Sequence, residues 1–112
     1  IEIRRAYIVI LEQISPLEAK ILDVIYSLPF EQTQHEGIVT SSLPDSARVM
    51  GEEDKKSPQP DPSAEVMLAL SNLERVGCLR LGMTWGGGGS FSRINPTLLG
   101  KEFVAACRVN QI

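Results

Sequence analysis

Apolar residues at the start of the chain recur at helical spacing. Ile3, Tyr7, Ile10, Leu11 and Ile14 trace one stripe, which predicts an amphipathic helix whose pattern is already running at Ile1. A second start follows at once. Ser15 suits an N-cap, Pro16 the first helical position and Glu18 the reciprocal position of a capping box, so a helix is expected from Pro16 to Leu28, with Ile21, Leu22, Ile25 and Leu28 inward and Pro29 as its stop. Ile38 and Val39, between Gly37 and Thr40, suggest a short strand, and Ala47 and Met50 a short helix over 44–50. Residues 51–61 combine charge and proline with almost no apolar side chain, the pattern of a mobile acidic loop. Asp61 and Pro62 then restart a helix along Val66, Ala69, Leu70, Leu73 and Val76, closed by Gly77. Alternation takes over, with Leu79, Leu81, Met83 and Trp85 on one face and Arg80, Gly82 and Thr84 on the other. That strand is expected to return through a Gly86–Ser90 connection into Phe91–Asn95, and Thr97 to cap a last helix along Leu99, Phe103, Ala106 and Cys107.

Helix, short strand, short helix, long helix and hairpin is the element order of a winged helix. The expected fold class is therefore α+β and winged-helix-like, helices around a small antiparallel hairpin, in one domain over 1–112 with flanking helices. Two departures strain that match. Pro96 stands where a second wing strand would continue, and Asp45 to Pro62 separates helices that a DNA-reading motif joins by about three or four residues.

Leu70-Ser71-Asn72-Leu73-Glu74-Arg75-Val76-Gly77-Cys78-Leu79 resembles the L-x-x-L-E-x-x-G-L-I ending of a winged-helix recognition helix. With Ile94 through Thr97-Leu98-Leu99-Gly100-Lys101-Glu102-Phe103, Ala106-Cys107, and Ser15-Pro16-Leu17-Glu18-Ala19-Lys20-Ile21-Leu22 upstream, nearly the whole chain resembles the C-terminal part of the Abi-alpha family, bacterial proteins linked by name to abortive phage infection. The resemblance implies a bacterial cytosolic protein with a part in phage defence. It brings no catalytic or binding residues with it.

Composition narrows the chemistry. At 112 residues and 43% hydrophobic the chain can bury a core unaided, and its longest apolar stretch, Tyr7 to Leu11, is far below the roughly 20 residues of a membrane span. Absence of an initiating Met, with the pattern already under way, suggests a piece of a longer protein. Cys78 and Cys107, both in apolar contexts, read as buried free thiols of a reducing compartment, which favours the cytoplasm. One histidine, His35, in a stretch expected to be a polar loop, and two distant cysteines make neither a zinc site nor a nucleophile with its base, so no catalytic, metal or cofactor residue is assigned and no enzyme or small-molecule ligand is expected. Gly86-Gly87-Gly88-Gly89 lacks the Lys-Ser/Thr ending of a phosphate loop; its run with Ser90 is also identical to the commonest engineered linker.

Net charge is −3, with −3 on residues 15–44 and −2 on 45–61 against +2 on 78–95 and +1 on 96–112. A groove-reading helix over 62–77 would carry −1 toward phosphate, and only Asn72 and Arg75 on it suit base edges. Arg80 and Arg93 on the wing, with Lys101 and Arg108 behind, complete the case for the alternative, a DNA-binding regulator using Asn72, Arg75, Arg80 and Arg93. Strong phosphate binders use more contacts than this surface offers, so a protein partner or self-association is preferred, with the Ile3–Ile14 helix as the apolar contact.

Overall fold

A computed structural model describes the backbone of residues 2–83 and 89–110, with side chains from 5–82 and 90–108. Helix α1 (Glu2–Gln13) lays the expected stripe inward: Ile10 is buried, and Tyr7, Leu11 and Ile14 pack against the core, with the Tyr7 ring edge-on to Phe103 at 5.9 Å between centroids. Helix α2 (Pro16–Ile25) starts as its sequence dictates. Ser15 Oγ accepts from Glu18 N–H at 3.2 Å and Glu18 Oε1 accepts from Ser15 N–H at 2.8 Å, the reciprocal cap.

The helix ends three residues earlier than expected. Tyr26 serves as its C-cap, and a turn closed by Ser27 N–H to Val24 O and Leu28 N–H to Ile25 O carries the chain to Pro29. Pro29 does not only stop a helix; it is the N-cap of α3 (Phe30–Glu36), an element that periodicity alone misses because Phe30 is its single large apolar residue. His35 therefore sits in the last turn of a helix rather than in a loop, and it is exposed. Gly37 ends α3 at φ +88, a conformation that side chains with a Cβ rarely adopt.

Strand β1 (Ile38–Val39) forms as expected, but the helix expected over 44–50 does not. Turns over residues 41–45 enclose a cis Leu43–Pro44 bond, and β2 (Arg48–Val49) runs back along β1, pairing Ile38 with Val49 and Val39 with Arg48. The i, i+3 pair Ala47 and Met50 carried too little periodicity to outweigh the unpaired outer edge of β1, whose backbone groups need partners. Within the expected acidic loop, α4 (Glu52–Lys55) makes one helical turn, fixed to β2 by Arg48 Nη2 to Asp54 Oδ1 at 2.7 Å and closed at its own N-cap by Gly51 N–H to Asp54 Oδ2.

Helix α5 (Ala64–Arg75) buries Val66, Ala69, Leu70 and Leu73. Its cap is Ser63, which accepts from Val66 N–H, not Asp61. Gly77, at φ +87, turns the chain into β3 (Leu79–Met83), which returns as β4 (Gly89–Pro96). Gly89 and Ser90 are strand residues; Thr84, Trp85 and Gly86–Gly88 lie outside the described residues. The four strands order β2-β1-β4-β3, all antiparallel, with an irregularity between Leu81 and Gly82.

Pro96 does belong to β4, and parity explains it. Leu81 N–H donates outward to Glu74 and Thr40 N–H donates to Ser92 O, so even-numbered β4 residues send their backbone groups toward β1. Pro96 thus points its missing donor past the end of β1, where no ladder bond is lost. Thr97 caps α6 (Leu98–Asn110) as expected, its Oγ1 accepting from Gly100 N–H at 3.0 Å. The molecule is α+β: residues of α1, α2, α5 and α6 share one core with β1, β3 and β4 around Ile21, Leu22, Ile25, Leu70, Leu73 and Leu79, and α3 packs along β4.

Candidate interaction surface

Where α1, α5, β3 and α6 meet, apolar side chains are left facing outward. Val9 is 55% exposed, Leu98 61% and Leu99 37%, values far from those of the core. They border two shallow hollows that share Leu99. One, of about 430 Å³, is lined by Ala6, Val9, Ile10, Gln13, Arg75, Val76 and Leu99; the other, of about 680 Å³, by Glu74, Gly77, Leu79, Arg80, Leu81, Thr97, Leu98 and Leu99.

Local sequence explains why this face stays open. Ile8 and Val9 widen the α1 stripe beyond what one neighbouring helix can cover, and the adjacent pair Leu98-Leu99 cannot both turn inward from the first turn of α6. Gly100 then fixes that turn closely against the rest. A Cβ there would stand 2.2 Å from Cys78 O and 2.2 Å from Tyr26 Oη. Tyr26 Oη donates to Cys78 O at 2.6 Å and accepts from Thr97 N–H at 3.0 Å, while Thr97 Oγ1 donates to Gly77 O at 2.7 Å. Burial raises the Tyr26 phenol above its usual range. The exposed leucines thus project from a rigid base. Leu99 was legible in sequence as an apolar α6 residue but was expected inward; Val9 and Leu98 were not singled out, although the Ile8-Val9 and Leu98-Leu99 doublets signal a second face.

The residues considered for DNA are not brought together on one free face. Asn72 Nδ2 donates to Gln13 O and to Glu18 Oε1, each at 2.9 Å, and Arg75 donates to Asn72 Oδ1 at 2.6 Å and Gln13 Oε1 at 2.8 Å. Both side chains tie α5 to the α1–α2 corner. Arg80 is exposed on β3. Arg93 is partly buried on β4, its stem crossing Gly37 and Gly82: a Cβ on Gly37 would fall 2.5 Å from Arg93 Nε, and one on Gly82 2.9 Å from Arg93 O. Arg93 Nε is buried with no hydrogen-bond partner among the described residues. Behind the wing, Lys101 stacks over Phe30 and Arg108 pairs with Asp23 at 2.8 Å.

Cys78 is buried and Cys107 half-buried, both as free thiols. Burial, and secondarily Cys107, pushes the Cys78 thiol up to about 11, away from nucleophile chemistry at neutral pH. Cys107 lines a separate apolar cleft of about 200 Å³ among α1, α2 and α6. Among the described residues no group of three or more His, Cys, Asp or Glu side chains is placed to hold a metal ion, and no helix is long and apolar enough to cross a membrane.

No curated protein and no solved structure matches the chain. The family model described as abortive infection alpha matches residues 1–107. That span carries every element from α1 into α6, and the chain belongs to the abortive infection alpha (Abi-alpha) family.

Proposed function

We propose that this chain is a non-catalytic protein-interaction or self-association module of a cytoplasmic phage-defence protein, acting through the face formed by Val9, Leu98 and Leu99. The observation that carries this is their joint exposure over two hollows, on a molecule whose other large apolar side chains mostly serve its core. Exposed leucines held by a rigid junction are suited to contact, because little ordering entropy remains to oppose binding. A winged-helix arrangement is part of the proposal: α5 precedes a β3–β4 hairpin whose returning strand joins β1, with β2 and α4 as additions. A DNA-binding role is less favoured, because Asn72 and the exposed Arg75 are held in hydrogen bonds to the α1–α2 corner and Arg93 is partly buried, leaving Arg80 as the one residue of the four that is both exposed and outside that corner.

The test is phage plating on bacteria carrying the whole gene, unaltered or with Val9→Asp and Leu98→Asp together. Equal protein levels and equal melting temperatures of the two proteins serve as the control. Plating that is reduced by the unaltered gene and restored by the double variant is the expected result. Protection that persists in the variant, or that is absent with the unaltered gene, overturns the proposal. Salt-sensitive binding of random duplex DNA, strong at about 50 mM and lost at about 200 mM salt and on Arg80→Glu, would put the regulator in its place.

A further inference from the structure

Resting on that proposal, we infer that the occupant of the face is a second copy of this chain, docked about a two-fold axis with Leu98 of each copy seated in the other's larger hollow. A two-fold interface uses the same patch twice, so projection and recess must lie side by side on it. They do here. Leu98 stands 61% exposed at the rim of the recess of about 680 Å³ floored by Leu79, Leu81 and Leu99, which has room for more than one aliphatic side chain.

Charge points the same way. Glu74 and Arg80 line that one recess, and Arg80 enters no ion pair among the described residues. One Glu74 oxygen accepts from the outward Leu81 N–H at 2.9 Å, which holds the carboxylate at the sheet edge. A two-fold axis that passes between Glu74 and Arg80 sets each against the other residue of the second copy, and so pairs the charges twice. A polyanion or a uniformly acidic peptide would meet one attractive and one repulsive group in the same recess. With two rather than many exposed leucines at its centre, the interface belongs to the small class, under about 1,200 Å², whose association is transient.

Sedimentation equilibrium of the whole chain from about 1 µM to about 1 mM covers the affinities such an interface supports. A monomer–dimer equilibrium is expected. Leu98→Asp should weaken it at least tenfold while leaving the fold intact, since the side chain is exposed and an acid in the first turn suits the α6 dipole. Arg80→Glu should weaken it too, and adding Glu74→Arg to that variant should restore it, which a merely structural role of either residue would not do. A monomer at 1 mM, or a dimer indifferent to Leu98→Asp, overturns the inference; failure of the double reversal to restore association overturns the paired charges and with them the two-fold arrangement. Loss of plating protection in a chain that stays monomeric would leave the interaction module standing with a foreign partner. A dimer built on this face whose disruption leaves protection unchanged would do the reverse.

Discussion

Helix α6 presents two contrasting sides. On one, Gly100, Phe103 and Val104 are buried against α2 and the start of β3, with Tyr26 knotting the joint; on the other Leu98 faces outward, and Leu99, at the margin between them, is still 37% exposed. Phe103 and Val104 are apolar like Leu98 and Leu99, so hydrophobicity does not separate them. Geometry does: the inward side meets neighbours supplied by this chain, and the outward side has only hollows. A leucine's contribution here depends on whether its partner lies in the same molecule.

Gly100→Ala attacks the inward side most directly. Its Cβ would overlap a backbone carbonyl and the Tyr26 hydroxyl, each at 2.2 Å, so a loss of about 3 kcal/mol or more is expected in urea unfolding despite alanine's better helix propensity. Wild-type stability in that variant would mean that the joint yields and the contrast is softer than described. The next comparison sets one leucine against another. Leu70→Ala, at a fully buried position, should cost about 2–5 kcal/mol, whereas Leu98→Ala should stay within about 0.5 kcal/mol for the monomer. Equal losses in dilute protein would remove the distinction between the two sides.

The smallest effect belongs to the remote β2–α4 corner. Hydrogen bonding from Arg48 and from the Gly51 amide lowers the Asp54 carboxyl from 3.8 to about 2. The folded state therefore binds this proton less readily than the unfolded chain, so the corner's contribution is present above pH 3.8 and fades as pH falls through about 2. Because the group lies at the surface, the change should be slight. Acid titrations of wild type and Arg48→Ala should converge below that window and separate above it; parallel curves throughout would show that Arg48 adds nothing there.

Elements with strong local signals were legible in the sequence: the Ser15-Pro16-Glu18 start, the Val66–Val76 stripe with its closing Gly77, the β3–β4 pair and the Thr97 cap. What escaped depends on distant partners. Helix α3 has little periodicity of its own; it is buttressed by Asn95, whose amide donates to Gln34 O at 3.3 Å, and by Thr33, which is buried. Strand β2 exists because β1 needs a neighbour, and a two-residue strand carries no pattern. The exposed face was half legible, as an α1 helix available for contact. Its α6 half was not, since an i, i+3, i+4 stripe names residues that share a side without saying which side finds cover.

The central join of the sheet, β1 to β4, has a consequence for how the molecule comes into being. Ile38 must find Ile94, and half the sequence separates them, so closing that loop carries an entropic cost that the local β3–β4 hairpin avoids. During synthesis, β1 and β2 leave the ribosome as a two-strand ribbon with an open inner edge, and the strand that covers it emerges only after α5 and β3. A chain cut short before Phe91 would keep that edge bare, the state in which strands of different molecules find one another.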